Sequence, residues 1–334
     1  MKRRRSIAAF TAILVLALVA GMPALSGCGP APHTGVDAYT APDAGDAYPS
    51  RSFTDPSRAA TLSFDASRAM EHIEQLSVGI GPRPAGSGAE SEAAAYIEAA
   101  FTGGGYEDVV EQAFPSVGDH ISRNIYVEDT GTQPEWVLII GAHYDSAGGT
   151  GSPGANDNAS GVGVVLELAR VFRQLDNVPT LLFAAFASEE TPEYYDEDKA
   201  GYGSEYMGEH LEEIEGEVIG MINLDMVGVG VSLDANAAMK ASPVLSCLFA
   251  MLAGLSGVQV TMVRETWWSD NMPFEERGIP TLYLEWVPDY NYHSPRDTYS
   301  EIDKDRIAQS GRLVEGFLGE MDADVCRAIE RERD

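Results

Sequence analysis

Gly141-Ala142-His143-Tyr144-Asp145 closes an apolar run that begins at Trp136, and Gly154-Ala155-Asn156-Asp157-Asn158-Ala159-Ser160-Gly161 follows shortly after it. The first stretch reads as a buried strand stopped by a His-x-Asp pair. The second reads as a glycine-rich loop opening into a helix, because Val162, Val165, Leu166 and Ala169 recur on one helical face. Strand, polar loop and helix in that order are the repeating unit of a sheet with helices on both sides. A loop of this kind also suits phosphate. Here it lacks the lysine of a P-loop, and Asp157 at the helix mouth would repel an anion.

Working outward, the same alternation recurs. Thr180–Ala187 is a continuous apolar strand of the kind buried on both faces. Val218–Met226 is a second such run, and Pro280–Trp286 a third. Shorter strand-like runs lie at Val109–Phe114, Asn124–Val127 and Val258–Val263. Helical spacing marks Ala66–Leu76, Glu90–Phe101, Pro243–Leu255, a short segment near Asn271–Arg277 and a last helix over about Asp303–Met321. The expected fold is an α/β protein, a three-layer α/β/α sandwich with a mixed, mostly parallel central sheet, occupying residues 59–334.

The chain has 334 residues and a formal net charge of −30, from 52 acidic and 22 basic side chains. That field disfavours nucleic acid and anionic lipid as partners. The N-terminus is the exception. Lys2–Arg5 form a basic head, Ile7–Ala20 are almost wholly apolar, and small residues lead into Cys28. The run is short for a membrane span and has the flanks of a secretory signal. It resembles a bacterial lipobox, which implies a signal over residues 1–27, an acylated Cys28 and lipid anchoring at the outer face of the cell membrane. An ordinary signal peptide cut near Ala24 is the alternative. Residues 28–58, rich in Pro, Ala, Gly and Asp without periodicity, read as a tether. Cys247 and Cys326 are the remaining thiols, and their spacing leaves pairing open.

Ligands in α/β sheets gather at the carboxyl ends of strands, and the chain's metal-capable residues fall there. His143 and Asp145 end one strand, Glu189 and Glu190 another, and Asp225 a third. His293 follows the strand containing Leu284, and Asp157 stands in the loop after the first. Each alone is weak, but their convergence on one sheet edge is not. His33, His72, His120 and His210 lie in the tether, in helices or in a loop away from that edge, and are not expected to be ligands.

From about Ile80 to Thr298 these ordered motifs resemble the zinc-dependent aminopeptidases related to bacterial leucyl aminopeptidase. Glutamate carboxypeptidase, glutaminyl cyclase and the transferrin receptor are more distant members. The resemblance implies two zinc ions, other divalent metals being possible. His143 and Asp225 would hold one, Glu190 and His293 the other, and Asp157 would bridge them. Asp145 would hydrogen-bond the far nitrogen of His143, and Glu189 would act as general base. Two ions about 3.5–4 Å apart can activate water and polarise a scissile carbonyl. The implied activity is a metal-dependent exopeptidase acting on peptides, most simply a monomeric aminopeptidase. A glutaminyl cyclase, a carboxypeptidase and an inactive receptor or binding lipoprotein are the alternatives. Ser269-Asp270-Asn271 departs from the family's Ser-Asp-His, and Thr266, Trp267 and Trp268 stand where relatives often place a tyrosine. Trp267, Trp268, Trp286 and Tyr292 are candidate walls of a side-chain pocket for apolar residues, with core packing the alternative and the favoured reading for at least half of them; the acidic stretch 191–202 is either a flap near the entrance or a solvated loop.

Overall fold

The computed structural model describes residues 63–191, 202–264 and 269–333. The expected signal, the tether, Cys28, Trp267, Trp268 and nearly all of the acidic stretch lie outside them.

Eight strands form one mixed sheet in the order β1-β2-β4-β3-β5-β8-β6-β7. They are β1 (Val110–Pro115), β2 (Ile121–Asp129), β3 (Trp136–His143), β4 (Thr180–Phe186), β5 (Glu217–Leu224), β6 (Ser232–Ala237), β7 (Thr261–Val263) and β8 (Thr281–Val287). The central strands β4, β3, β5 and β8 run parallel. On one side β2 pairs antiparallel with β4 and β1 antiparallel with β2, and on the other β6 pairs antiparallel with β8. The four central carboxyl ends therefore lie side by side at one edge, as the apolar runs required.

Helices cover both faces. The larger core packs α1 (Ala66–Glu74), α2 (Gly88–Gly103), α3 (Ser160–Phe172), α5 (Val244–Leu255), α7 (Lys304–Gly319) and α8 (Ala323–Glu330) on alternate residues such as Leu138, Ile140, Ile222 and Leu284. The intervening residues Val137, Ile139 and Met221 face Met207 of α4 (Gly203–Glu209) and Phe274 of α6 (Met272–Glu275). This division into two faces follows the period of two along each strand.

Local chemistry sets the helix starts. Ser87 caps α2 by accepting from Glu90 N at 3.1 Å, and the Glu90 carboxylate reaches back to Gly86 N at 2.9 Å, a variant of the capping box. α3 opens at Ser160, and the Asn158 side chain just before it accepts from Gly161 N at 2.9 Å. Gly161 must be glycine for packing: a Cβ there would stand 2.1 Å from the Leu224 carbonyl oxygen. α3 can thus press against the end of β5.

Several expectations need correction. Strand β6, with the polar sequence Ser-Leu-Asp-Ala-Asn-Ala, was not anticipated. The strand expected from Val258 to Val263 is paired only over Thr261–Val263. The last helix is α8, not α7; it docks through Trp136 Nε1, which donates to Glu330 at 2.9 Å. His210 terminates α4 rather than lying inside it. Cys247 and Cys326, whose pairing the spacing left open, are not joined by a disulfide. Trp286 is no pocket wall. It points into the large core, donates to Ser310 at 2.9 Å and lies under the Arg306 guanidinium.

Candidate metal centre

The structure gathers His143, Asp157, Glu190, Asp225 and His293 at the carboxyl edge of the central strands. One ligand-type atom from each of His143, Asp157 and Glu190 lies within 4.8 Å of the others. Asp157 divides the group. Its Oδ1 is 3.3 Å from His143 Nε2, which is 3.5 Å from Asp225 Oδ1. Its Oδ2 is 3.2 Å from His293 Nε2, which is 2.8 Å from Glu190 Oε1. Each imidazole thus shares Asp157 and has a carboxylate of its own. The His143 half is buried, whereas the His293 side chain keeps 36% of its surface exposed.

The arrangement fits metal ions. Ligand atoms about 2.0–2.2 Å from a tetrahedral zinc stand about 3.3–3.6 Å from one another, close to the spacings around Asp157. Asp157 Oδ2 and Asp225 Oδ1 are buried without a hydrogen-bond partner, a state that is costly unless a cation satisfies them. Without metal, protons take that place. Burial opposes charge on both histidines, but the carboxylates win: His143 is raised well above its usual range and His293 to about 10. Burial would raise Asp157, but the His143 and His293 imidazoles beside it hold its carboxyl below the usual carboxylate range. Glu190 is pushed up to about 8 by burial and then by Asp157.

The shell around these side chains is specific. Ser269 Oγ donates to Asp225 Oδ2 at 2.8 Å and receives Asn223 Nδ2 at 2.8 Å. Asp297 accepts from the backbone N–H of Asn156 at 2.7 Å and of Asp157 at 3.1 Å. Asn158 Nδ2 donates to the Leu224 carbonyl at 2.8 Å, tying the loop to the end of β5. Asp145 differs from expectation. Its carboxylate stands 3.6 Å from His143 Nδ1, beyond hydrogen-bond reach, and accepts instead from Glu189 N at 3.0 Å and Glu190 N at 2.9 Å. Its main work is to hold the β4 exit.

Glu189 is half-buried beside the five. Its carboxyl is raised well above the usual range by burial, then by the Glu190, Asp270 and Asp225 charges, against the pull of His143. A carboxyl of high proton affinity next to the centre can take and return a proton. Tyr292 stacks on His293 with ring centroids 3.6 Å apart and is 49% exposed, at the rim.

Sequence reasoning missed four contributors. Arg83, Asn158 and Asp297 shape the loop that carries Asp157. Glu285, on β8, is pushed up to about 8 by burial and then by Asp225. A lone charge inside an apolar or Pro-Gly stretch was the available signal for Arg83 and Glu285.

A family model described as peptidase family M28 matches residues 124–318. Aminopeptidase YwaD of Bacillus subtilis is 32% identical over 210 residues, which are 59% of this chain and 42% of that protein. The chain therefore spans less than half the length of that relative. A zinc aminopeptidase of Bacillus subtilis superposes with a TM-score of 0.67 at 22% identity, over 77% of this chain and 94% of the other. A glutaminyl cyclase of Bacteroides thetaiotaomicron gives 0.67 at 22% identity, over 78% of this chain and 100% of the other. At these identities the two likenesses establish the fold alone.

Proposed function

Because the chain belongs to peptidase family M28, we propose that its cluster of carboxylates and imidazoles is the active site of a zinc-dependent aminopeptidase acting on peptides. The observation that carries this reading is the division of Asp157 between two imidazole–carboxylate pairs, with Glu189 free of both. His143, Asp225 and Asp157 would hold one ion, and His293, Glu190 and Asp157 the other. Bound zinc supplies Lewis acidity, lowering the pKa of water and polarising a carbonyl. The chain's own residues do the rest. Glu189 removes a proton from the attacking water and delivers it to the leaving amine. Asp145 fixes the backbone that aims Glu189 by holding both amide hydrogens of the Glu189-Glu190 pair. Ser269 and Asp297 keep Asp225 and Asp157 oriented.

The test uses the full chain, with free and N-acetylated dipeptides, chelator and added zinc, and counts bound metal by mass spectrometry. The expected result is hydrolysis of free-amine peptides only, abolished by chelator and restored by zinc, with two metal equivalents per chain. Cleavage of blocked peptides would move the assignment to a carboxypeptidase. Cyclisation of N-terminal glutamine without hydrolysis would move it to a cyclase. A preparation that binds no zinc would defeat the mechanism.

We also propose that the chain is anchored outside the cytoplasm by lipid on Cys28, on the strength of the basic head, apolar run and small residues before it. In a bacterial host, the protein is expected in the membrane fraction, incorporating labelled fatty acid that C28A does not. Equal labelling of C28A would refute the anchor.

A further inference from the structure

Between the end of β4 at Phe186 and Glu189 stand only Ala187 and Ser188. Ala187 is fixed through its backbone: its N–H donates to Asn124 Oδ1 at 3.2 Å, and its carbonyl accepts from Gly203 N at 2.8 Å. Ser188 then takes φ +61°. A side chain is disfavoured in that left-handed region because Cβ crowds the following carbonyl oxygen, and glycine is the residue that enters it freely. The direction in which the chain leaves β4, and with it the place of Glu189, depends on this one turn.

The Ser188 side chain is what holds the turn. Its buried hydroxyl donates to Glu90 Oε1 at 3.0 Å, and its oxygen lies 2.9 Å from Ser122 Oγ and 2.7 Å from Ser116 Oγ. Glu90 is 2% exposed, and its other oxygen accepts from Ser122 Oγ at 2.8 Å and Gly86 N at 2.9 Å. One carboxylate thus ties α2, β2 and the exit of β4 together. Helix capping does not account for it, because a capping box uses only the bond to Gly86 N. Stability does not either. Glycine at 188 would relieve the backbone, and an apolar residue at 90 would remove a buried charge that is costly to desolvate.

Asp145 and Glu90 grip consecutive residues from opposite sides. Asp145, beyond β3, accepts the N–H groups of Glu189 and Glu190. Glu90, on α2, accepts the hydroxyl of Ser188, the residue whose torsion precedes them.

Resting on the aminopeptidase reading above, we propose that Glu90 and Ser188 are positioning residues for the general base. The Glu90 carboxylate holds the Ser188 hydroxyl, the hydroxyl holds the left-handed turn, and the turn aims the Glu189 carboxyl at the attacking water. Neither residue ligates metal or transfers a proton.

The zinc-loaded full chain is assayed on Leu-p-nitroanilide, unmodified and as S188A, S188G, E90Q, the double variant S188A/E90Q and S87A, with bound zinc counted in every sample. S188A, S188G and E90Q are each expected to lower kcat per bound zinc about 10–100-fold, as a small misplacement of a reacting group does. KM should stay within about threefold, because the lost interaction acts on the chemical step. The double variant should fall no further than the worse single one, since both remove the same bond. S87A weakens the cap of the same helix while leaving the Glu90–Ser188 bond, so it should keep its kcat. S188G relieves the turn of strain, which separates loss of the tie from loss of folding. Full kcat in S188G would overturn the proposal, because the turn would then need no hydroxyl. So would an equal loss in S87A, or a loss that follows the zinc content, either of which would make the contact structural. These outcomes leave the aminopeptidase intact. If the unmodified chain cleaves no free-amine substrate, that reading fails and this inference falls with it.

Discussion

Replacing Glu189 by glutamine is expected to lower kcat about 10²–10⁴-fold, the range that positioned acid–base groups supply, while leaving the bound metal in place. The two halves of that expectation come from different observations. Retention of metal follows from the separation of the five candidate ligands from Glu189: each imidazole already has Asp157 and a carboxylate of its own. Loss of rate follows from the high proton affinity that burial and the nearby carboxylates give Glu189. Glutamine keeps the shape and the backbone anchorage, since Asp145 holds the amide of residue 189 rather than its side chain. It cannot accept and return a proton. Steady-state kinetics and metal analysis on the same sample decide the matter. Activity within tenfold of the unmodified chain, or loss of a metal equivalent, would remove Glu189 from the role of base.

Much of this site could be read before any coordinates existed, and the reason is physical. A parallel strand covered on both faces is apolar nearly throughout, so the polar residues that close each run mark the sheet edge. His143, Glu189, Asp225 and the loop bearing Asp157 were all found that way. What escaped depends on contacts between segments far apart in sequence. Asp145 could be placed next to His143 by spacing, but its grip on the amides of Glu189 and Glu190 exists only once β3 and β4 pair. Strand β6 escaped because its alternation of Leu233, Ala235 and Ala237 is built from small residues among polar ones. Its partner β8 supplies the pairing that composition did not advertise. The same pairing sets Asp234 directly opposite Glu285. Trp286 took the core alternative: its place in the alternation of β8 turns it into the large core, where it donates to Ser310.

The other large effect belongs to Arg83, a residue that touches none of the candidate ligands' side chains. It is 0% exposed, and its guanidinium donates to five carbonyls drawn from three segments. The bonds to Tyr144, Pro153 and Gly154 are 2.5, 2.5 and 2.7 Å long. They join the turn after α1, the end of β3 and the loop leading to Asp157. Burial pushes its pKa down to about 10 against the pull of Asp145, Asp297 and Asp157, so it keeps its charge at neutral pH. Exchange for methionine fills much of the volume but strands the carbonyls, each at about 1–3 kcal/mol when left unsatisfied. It also removes the positive charge that offsets three buried aspartates. Losses from breaking a buried charge network run to about 3–5 kcal/mol. At roughly 2–4 °C per kcal/mol for a domain near this size, the thermal midpoint of R83M should fall by about 10 °C. Zinc affinity should fall about 10–100-fold, as for groups that orient ligands from behind. R83K should recover little, because an ammonium cannot reproduce the planar fork that addresses several carbonyls at once. Thermal unfolding and competitive zinc titration of both variants test this directly. If midpoint and affinity both survive the loss of Arg83, the loop carrying Asp157 is held by Asn158 and Asp297 alone, and the guanidinium only fills space.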